Sequence, residues 1–216
     1  MIQRVYERVA AILPQAVVAT DDIRIAEAVE AFGGRAIMTS TEHRSGTDRC
    51  LEAYVKADTD ADVIINIQGD EPFISVKNCF NDPTVEIASL ARPFDPSRGF
   101  EALFDPNLVK VVMDSADNAL YFSRAIIPYV RGHEWQQWLD AAKFHTHVGL
   151  YAYRASTLEK ICRLPQSPLE KAESLEQLRW LQAGYKIRMA YTDEPNFGID
   201  TPSDLEAANK YLAELE

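Results

Sequence analysis

The stretch Asp62-Val63-Ile64-Ile65-Asn66-Ile67-Gln68-Gly69-Asp70-Glu71-Pro72 decides the fold class of this chain. Its branched apolar residues end at a glycine that is followed by two carboxylates. Short continuous apolar runs of this kind are typical of buried parallel strands. We therefore expect Asp70 and Glu71 at the carboxyl edge of a sheet, where open α/β folds bind ligands and where a carboxylate can hold magnesium. A polar turn after a core strand is the alternative, because acidic surface turns are common.

The composition is that of an ordinary globular protein. The chain has 216 residues, 47% hydrophobic and 25% charged, with a net charge of -11. This acidic balance disfavours nucleic acid and anionic membranes as partners. Cys50, Cys79 and Cys162 lack any Cys-x-x-Cys spacing, which predicts reduced thiols and a cytoplasmic location. No apolar run reaches bilayer-spanning length.

Helical and strand patterns alternate along the chain, which predicts an α/β protein with a mostly parallel sheet. Helices are expected at residues 1–12, after Asp22 and near 48–56, and strands at 16–20, 35–38, 63–67, 87–91, 109–113, 119–122, 148–153 and 187–191. A capping serine, a first-turn proline and a reciprocal glutamate in Ser167-Pro168-Leu169-Glu170 predict a helix that carries Leu175, Leu178 and Leu181. Thr201-Pro202-Ser203-Asp204 predicts another helix start in the same way.

Two polar segments are candidates for anion binding. The loop from Glu42 to Arg49 places small hydrogen-bonding residues, a glycine and two arginines at a helix entrance, which suits an anionic or nucleobase ligand. Arg124 follows a predicted strand, where it could hold a carboxylate. A solvated loop arginine is the alternative for Arg124.

Two further pairs of polar residues have plain structural interpretations. His145 and His147 alternate onto one strand face, and without a third ligand in sight hydrogen-bonded structural histidines are favoured over a metal site. Glu176 and Gln177 lie off the leucine stripe of their helix, which by itself indicates solvated surface.

Six motifs occur in an order that closely resembles the 3-deoxy-manno-octulosonate (Kdo) cytidylyltransferases, or CMP-Kdo synthetases, over nearly the whole chain. The motifs are His43-Arg44-Ser45-Gly46-Thr47-Asp48-Arg49, Asn66-Ile67-Gln68-Gly69-Asp70-Glu71-Pro72, Tyr121-Phe122-Ser123-Arg124, His147-Val148-Gly149-Leu150-Tyr151, Leu175-Glu176-Gln177-Leu178-Arg179 and Gly198-Ile199-Asp200-Thr201-Pro202. The resemblance implies a Rossmann-like nucleotidyltransferase fold with a smaller dimerisation region, and a homodimer. It also implies transfer of CMP from CTP to the anomeric hydroxyl of Kdo, with release of pyrophosphate, for lipopolysaccharide synthesis.

The same resemblance implies roles for individual residues. Asp70 and Asp200 would be catalytic as ligands of Mg²⁺. The residues expected around the nucleotide are Ser45, Gly46, Thr47, Arg49 and Gln68. Those expected to line the Kdo pocket are Arg124, His147, Tyr151, Glu176 and Gln177, with the arginine opposing the sugar carboxylate. No nucleophilic side chain or dedicated general base is expected, because metal coordination can acidify the attacking hydroxyl.

Two regions depart from the family's arrangement. The chain opens on a helix, whereas the family has an earlier strand and a triphosphate loop with the pattern Pro-Ala-Arg-x-x-Ser-x-Arg-x-Pro-x-Lys. The stretch between Pro72 and Val85 is also short for a parallel crossover. We therefore expect residues 1–216 to form one nucleotidyltransferase domain that lacks this N-terminal part and some residues after Ser75. Two alternatives stay open: a cytidylyltransferase for another acidic sugar, such as sialic acid or amino-Kdo, and a truncated, non-catalytic sugar or nucleotide binder.

Overall fold

The computed structural model describes residues 2–13, 15–67 and 82–192. These residues divide into two compact units. The first unit contains the described residues up to Ala61 together with residues 65–67, and the second contains residues 62–64 and everything described from Asp82 onward. None of the described helices is long and apolar enough to cross a membrane.

The first unit combines three helices with a small parallel sheet. The helices are α1 (Ile2–Ala10), α2 (Ile23–Ala31) and α3 (Gly46–Ala57), and the strands are β1 (Val18–Thr20) and β2 (Ala36–Met38). The two strands pair in parallel, and both α2 and α3 contact them. Apolar side chains from the helices and from β2 form the buried core, namely Val5, Ala26, Val29, Ile37 and Ala53. The predicted helix–strand alternation is confirmed in this unit.

The ends of α2 follow the local signals in the sequence. The Asp22 carboxylate accepts a hydrogen bond from the backbone N–H of Arg24 at 2.9 Å and caps the helix. Gly33 then adopts φ +81°, a conformation that side chains disfavour. A Cβ atom on Gly34 would lie 2.8 Å from the Val29 side chain, so this close turn also requires glycine. The predicted start and end of α2 are both confirmed.

The second unit is built on a mixed sheet with the strand order β6-β5-β7-β4-β8, and β3, of which only the first two residues belong to this unit, pairs with β7 beside that path. The strands are β3 (Val63–Asn66), β4 (Ile87–Pro93), β5 (Lys110–Met113), β6 (Ala119–Ser123), β7 (His145–Arg154) and β8 (Ile187–Tyr191). Each of them overlaps a strand predicted from the sequence.

The direction of the strands is less uniform than the predicted, mostly parallel sheet. β1 with β2 and β4 with β8 are parallel, whereas β4 with β7, β5 with β6 and β5 with β7 are antiparallel. A short turn joins β5 to β6, and such a turn permits only antiparallel neighbours. Within this turn the Asp114 carboxylate accepts from the backbone N–H groups of Ala116 and Asn118, both at 2.8 Å. The α/β class is confirmed, with a mixed sheet.

Four helices accompany this sheet: α4 (Trp138–Ala141), α5 (Ala155–Cys162), α6 (Pro168–Glu173) and α7 (Gln177–Gln182). The capping box predicted at the start of α6 is present, because Ser167 Oγ accepts from the Glu170 N–H at 3.2 Å and the Glu170 carboxylate accepts from the Ser167 N–H at 3.1 Å. The helix predicted to continue through Leu181 is interrupted at Ser174, which has φ +51°.

The interruption has a tertiary cause. The guanidinium of Arg124 donates to the backbone carbonyls of Glu173 at 2.7 Å and of Ser174 at 3.3 Å. In a continuous helix these carbonyls would accept from N–H groups one turn later. Arg124 takes their place, so α6 ends and α7 begins as a separate helix. The helix start predicted at Thr201 lies outside the described residues.

Candidate active site

Three of the predicted site residues lie outside the described part of the chain, namely Gln68, Asp70 and Asp200. Among the residues that are described, no group of three or more His, Cys, Asp or Glu side chains is arranged to hold a metal ion. The predicted nucleotide residues that are described belong to the first unit, and all the predicted Kdo residues belong to the second.

The predicted nucleotide loop forms the entrance to α3. Ser45 is its N-cap, since its Oγ accepts from the Asp48 N–H at 3.2 Å and donates to the Asp48 carboxylate at 3.0 Å. Gly46 is exposed and Thr47 is buried in the first turn. The N–H groups of a first helical turn favour anionic ligands. The expected helix entrance is therefore present, and nucleotide binding there stays a prediction.

Arg49 connects α3 to the ends of both strands of the first unit. Its guanidinium donates to Thr39 Oγ1 at 2.6 Å and to the Asp21 carboxylate at 2.9 Å. Thr39 directly follows β2 and Asp21 directly follows β1. Because the strands are parallel, both ends lie at the same edge of the sheet. Arg49 thus lies at the carboxyl edge, where ligands bind in such folds.

The loop before α3 is held by the carboxylate of Glu52. This carboxylate accepts from the Ser40 backbone N–H at 2.9 Å, contacts His43 Nε2, and pairs with Lys56 Nζ at 2.7 Å. These hydrogen bonds, the one from Lys56 foremost, lower the pKa of Glu52 to about 2. Glu52 therefore remains ionised across the physiological pH range.

Arg124 is held by the backbone of the second unit. Besides its bonds to the Glu173 and Ser174 carbonyls, the guanidinium donates to the Pro106 carbonyl at 2.8 Å. A guanidinium has five N–H donors, so the three carbonyl partners found among the described residues leave two donors for a ligand. The Glu173 carboxylate binds the Arg124 backbone N–H at 2.9 Å rather than its guanidinium. This geometry suits the expected role opposite a carboxylate, which stays a prediction.

Lys110 supports Arg124 from within the core. The Lys110 side chain is fully buried, and its Nζ donates to the Arg124 carbonyl at 2.5 Å and to the Asp105 carbonyl at 3.1 Å. Burial lowers the pKa of Lys110, because a charge is costly away from water. Hydrogen bonds to the backbone carbonyl of Arg124 and from its guanidinium therefore hold this residue in place at the end of β6.

His147 and Tyr151 contact each other on β7. Their ring centroids are 5.2 Å apart, and the His147 ring lies 5.1 Å from that of Phe122. His147 Nε2 is 2.8 Å from Ser89 Oγ. Burial lowers the pKa of His147 to about 4, so the ring is neutral near pH 7. Tyr151 is buried, and the Trp180 ring packs edge-on against it at 5.1 Å.

Glu176 and Gln177 lie at the start of α7, beyond the break at Ser174. The Glu176 carboxylate pairs with the guanidinium of Arg179, which is itself buried. Gln177 is only 4% exposed, so the interpretation of this residue as solvated helix surface is wrong. The break after α6 reorients the second helix and turns Gln177 inward. Within the described ranges the side-chain amide of Gln177 has no hydrogen-bond partner, so its polar atoms are available to a ligand.

Two supporting residues were not identified as such from the sequence. Ser89 is a fully buried hydroxyl within β4, and Arg179 contacts both Glu176 and, at 3.5 Å, the Glu170 carboxylate. A single polar residue in the apolar run Ile87-Ala88-Ser89-Leu90-Ala91 was the only available signal for Ser89. Its partners are dozens of residues away, and no local pattern identifies them.

Comparison with known proteins gives a consistent result. The Cytidylyltransferase family matches residues 1–187. The chain is 56% identical to a 3-deoxy-manno-octulosonate cytidylyltransferase of Parabacteroides distasonis, over 99% of this chain and 88% of that protein. It is 54% identical to the protein of the same name from Phocaeicola vulgatus, over 100% of this chain and 88% of that protein.

Solved structures agree with these matches. A structure of CMP:2-keto-3-deoxy-manno-octonic acid synthetase complexed with CTP is 41% identical, with a TM-score of 0.86, and the match covers 100% of this chain and 88% of that one. The inositol-1-phosphate CTP transferase from T. maritima is 14% identical with a TM-score of 0.57, over 91% of this chain and 72% of that one, and shares the fold.

Proposed function

The chain belongs to the family of 3-deoxy-manno-octulosonate cytidylyltransferases, and we propose that it transfers CMP from CTP to the anomeric hydroxyl of Kdo, releasing pyrophosphate. The observation that carries this proposal is the 56% identity to a protein of that name over 99% of the chain. The relative that was solved as a complex with CTP supports CTP as the nucleotide substrate.

The second unit supplies physical support for the sugar substrate. Kdo carries one carboxylate and several hydroxyls, so its site needs a cation and unpaired polar groups. Among the described residues, Arg124 has two uncommitted N–H donors and the side-chain amide of the buried Gln177 has no hydrogen-bond partner. We propose that Arg124 binds the carboxylate and that Glu176, Gln177 and His147 bind hydroxyls. These contacts would orient the anomeric oxygen for in-line attack on the α-phosphorus.

We also propose that Asp70 and Asp200 hold Mg²⁺. Their carboxylate oxygens are the hard ligands that this ion prefers. When bound, Mg²⁺ supplies neutralisation of phosphate charge and acidification of a coordinated hydroxyl. Changing Asp70 to Asn should lower turnover about a hundredfold or more, since a charged ligand is lost. Near-normal turnover of Asp70→Asn with CTP, Kdo and Mg²⁺ would remove this aspartate from the metal site.

A pyrophosphate-release assay tests the proposed reaction directly. The complete purified protein is incubated with CTP, Mg²⁺ and Kdo, and parallel reactions contain sialic acid or amino-Kdo instead. We expect release with Kdo and the appearance of CMP-Kdo by mass spectrometry. Preferential reaction with either other sugar would reassign the substrate. CTP or Kdo binding by calorimetry without any product would favour the non-catalytic alternative.

We further propose that the protein is a homodimer through an aromatic surface of the second unit. We assign to this surface the aromatic residues Phe104, Tyr129 and Trp135, which are 48%, 72% and 54% exposed. The Phe104 and Trp135 rings are 5.4 Å apart, and exposed apolar patches of this kind mark interaction sites. Light scattering should give a dimer mass for the wild type and a monomer mass for Trp135→Glu. Val55→Glu, at a comparably exposed residue on α3, should leave the dimer unchanged.

The cellular setting proposed for this activity is the cytoplasm, as a step towards lipopolysaccharide. CTP is a cytoplasmic metabolite, and Cys50 is a free thiol whose pKa burial raises to about 12, as suits an unreactive cysteine in a reducing compartment. Fractionation of cells that express a tagged protein is the measurement, and recovery in the periplasm would contradict this placement.

A further inference from the structure

β7 contains a bulge opposite Ser89. Ser89 pairs with Tyr151 and the next residue of β4, Leu90, pairs with Val148, so β7 has two additional residues at this point. Residues four apart in a regular strand are separated by about 13 Å. Here the rings of His147 and Tyr151 are 5.2 Å apart. The bulge therefore brings together two side chains that are expected to line the sugar pocket.

The Ser89 hydroxyl bridges the two ends of this bulge. Its Oγ donates to the Leu150 carbonyl at 2.8 Å and lies 2.8 Å from His147 Nε2. Ser89 is fully buried, so water does not compete for either bond. A single hydroxyl thus holds both the backbone of the bulge and the imidazole that projects from it.

Counting protons assigns the tautomer of His147. A serine hydroxyl has one hydrogen, and the hydrogen of Ser89 is donated to the Leu150 carbonyl. Towards His147 the oxygen can then only accept, so Nε2 carries the imidazole hydrogen. A neutral imidazole has one N–H group, which leaves Nδ1 as an acceptor. Within the described ranges Nδ1 has no hydrogen-bond partner.

We propose that Ser89 is a positioning residue of the sugar site, which holds His147 in the Nε2–H tautomer so that Nδ1 accepts a hydrogen bond from a hydroxyl of the sugar. This inference rests on the proposed function, because the proposed reaction is what brings a sugar to His147. A fixed acceptor selects a donor: a hydroxyl satisfies Nδ1, whereas a deoxy analogue leaves it unpaired. Ser89 therefore contributes to substrate choice without touching the substrate.

Nuclear magnetic resonance on the ¹⁵N-labelled chain tests the tautomer independently of activity. Long-range ¹H–¹⁵N correlations at pH 7 should show the Nε2–H pattern for one of the four histidines, and that signal should be lost in His147→Asn. In Ser89→Ala the same histidine should show a mixture of tautomers. An Nδ1–H pattern, or a protonated ring, in the wild-type protein would overturn the inference.

Kinetics test whether the tautomer matters for the sugar. In Ser89→Ala the KM for Kdo should rise about tenfold while the KM for CTP stays unchanged, since one hydrogen bond is weakened. Ser89→Thr keeps the hydroxyl and should restore the value. Thr157→Val, which removes a buried hydroxyl from α5, is the matched control and should change neither constant.

A double-mutant cycle separates positioning from general destabilisation. In a His147→Ala background, Ser89→Ala should have almost no further effect on the KM for Kdo, because Ser89 acts through the imidazole. An equal effect in both backgrounds would overturn the proposal. If the complete wild-type protein makes no CMP-Kdo at all, the proposed function fails and the sugar role of Ser89 fails with it. An Nδ1–H tautomer in an active enzyme overturns only the inference.

Discussion

The loop before α3 in the first unit and the sugar side of the second unit are built in different ways. In the first, the Glu52 carboxylate is bonded to Ser40, His43 and Lys56, all within twelve positions along the chain. In the second, Arg124 is held by a carbonyl 49 residues away and His147 by a hydroxyl 58 residues away. The loop depends mainly on local contacts and is largely exposed, whereas the sugar side depends on distant, buried partners. We therefore expect a substitution in the loop to disturb only neighbouring contacts. A substitution on the sugar side should also weaken contacts between distant segments of the chain.

The largest expected effect is at the buried charge cluster of the second unit. Arg179 is 7% exposed and contacts the carboxylates of Glu170 and Glu176. Arg179→Leu leaves the buried Glu170 carboxylate and the partly exposed Glu176 carboxylate without their cation and should reduce the free energy of unfolding by about 3–5 kcal/mol. Chemical denaturation measures this loss. Lys56→Ala, which breaks the half-exposed ion pair with Glu52, should change stability little. Similar losses at both sites would contradict the distinction between the two regions.

The next effect concerns the two arginines, one in each region. Arg124→Ala should raise the KM for Kdo roughly 10- to 100-fold, because a charge-assisted hydrogen bond is lost, and should leave the KM for CTP nearly unchanged. Arg49→Ala should show the reverse pattern. Arg124→Lys should recover only part of the loss, since an ammonium lacks the planar fork. If Arg124→Ala raised only the KM for CTP, Arg124 would belong to the nucleotide side.

A pH titration of stability should separate His147 from Glu52. Burial lowers the pKa of His147 from 6.5 to about 4, so between these values the unfolded chain takes up a proton that the folded chain does not. Above pH 6.5 the imidazole is neutral in both the folded and the unfolded chain, so it does not change stability with pH. As the pH drops from 6.5 towards 4, the free energy of unfolding falls by up to about 1.4 kcal/mol per pH unit.

Glu52 should act in a lower window. Its pKa falls from 4.5 to about 2, so the stability that it contributes is present above pH 4.5 and is lost as the pH falls through 2. Urea denaturation of His147→Gln should lack the slope between pH 6.5 and 4, and Glu52→Gln should lack only the one below 4.5. If both variants kept the wild-type slope of stability against pH, groups other than His147 and Glu52 would dominate the pH dependence.

The smallest effect compares two helix caps of the same chemistry. Ser45 caps α3 and Ser167 caps α6, with side-chain acceptance from a backbone N–H at 3.2 Å in both. Either serine-to-alanine change should cost about 1 kcal/mol of stability. Only Ser45→Ala should also weaken CTP binding in calorimetry, because only that helix entrance is assigned to the nucleotide. Weaker CTP binding by Ser167→Ala as well would show that the effect is general destabilisation.

Most of the local structure and the family could be predicted from the order of the amino acids alone. The Asp22 cap, the close turn at Gly33-Gly34, the Ser167 capping box and the strand at residues 87–91 all appear where their patterns predicted. These features depend on neighbours a few positions apart, and such neighbours are visible in a linear pattern. The motif order likewise gave the residues that we propose for the site, because that resemblance needs only residue types in sequence. The expectation that residues 1–216 lack an N-terminal part and some residues after Ser75 stays a prediction.

The way in which those residues are held depends on contacts that only the folded protein makes. The mixed sheet, the helix break at Ser174, the burial of Gln177 and the bulge that joins His147 to Tyr151 were not predicted. Each depends on a partner far along the chain: Arg124 takes the carbonyls of α6, and Ser89 bridges β7 from β4. Hydrogen bonds between distant segments override local helix and strand preferences because the buried groups that they satisfy are too costly to leave unpaired.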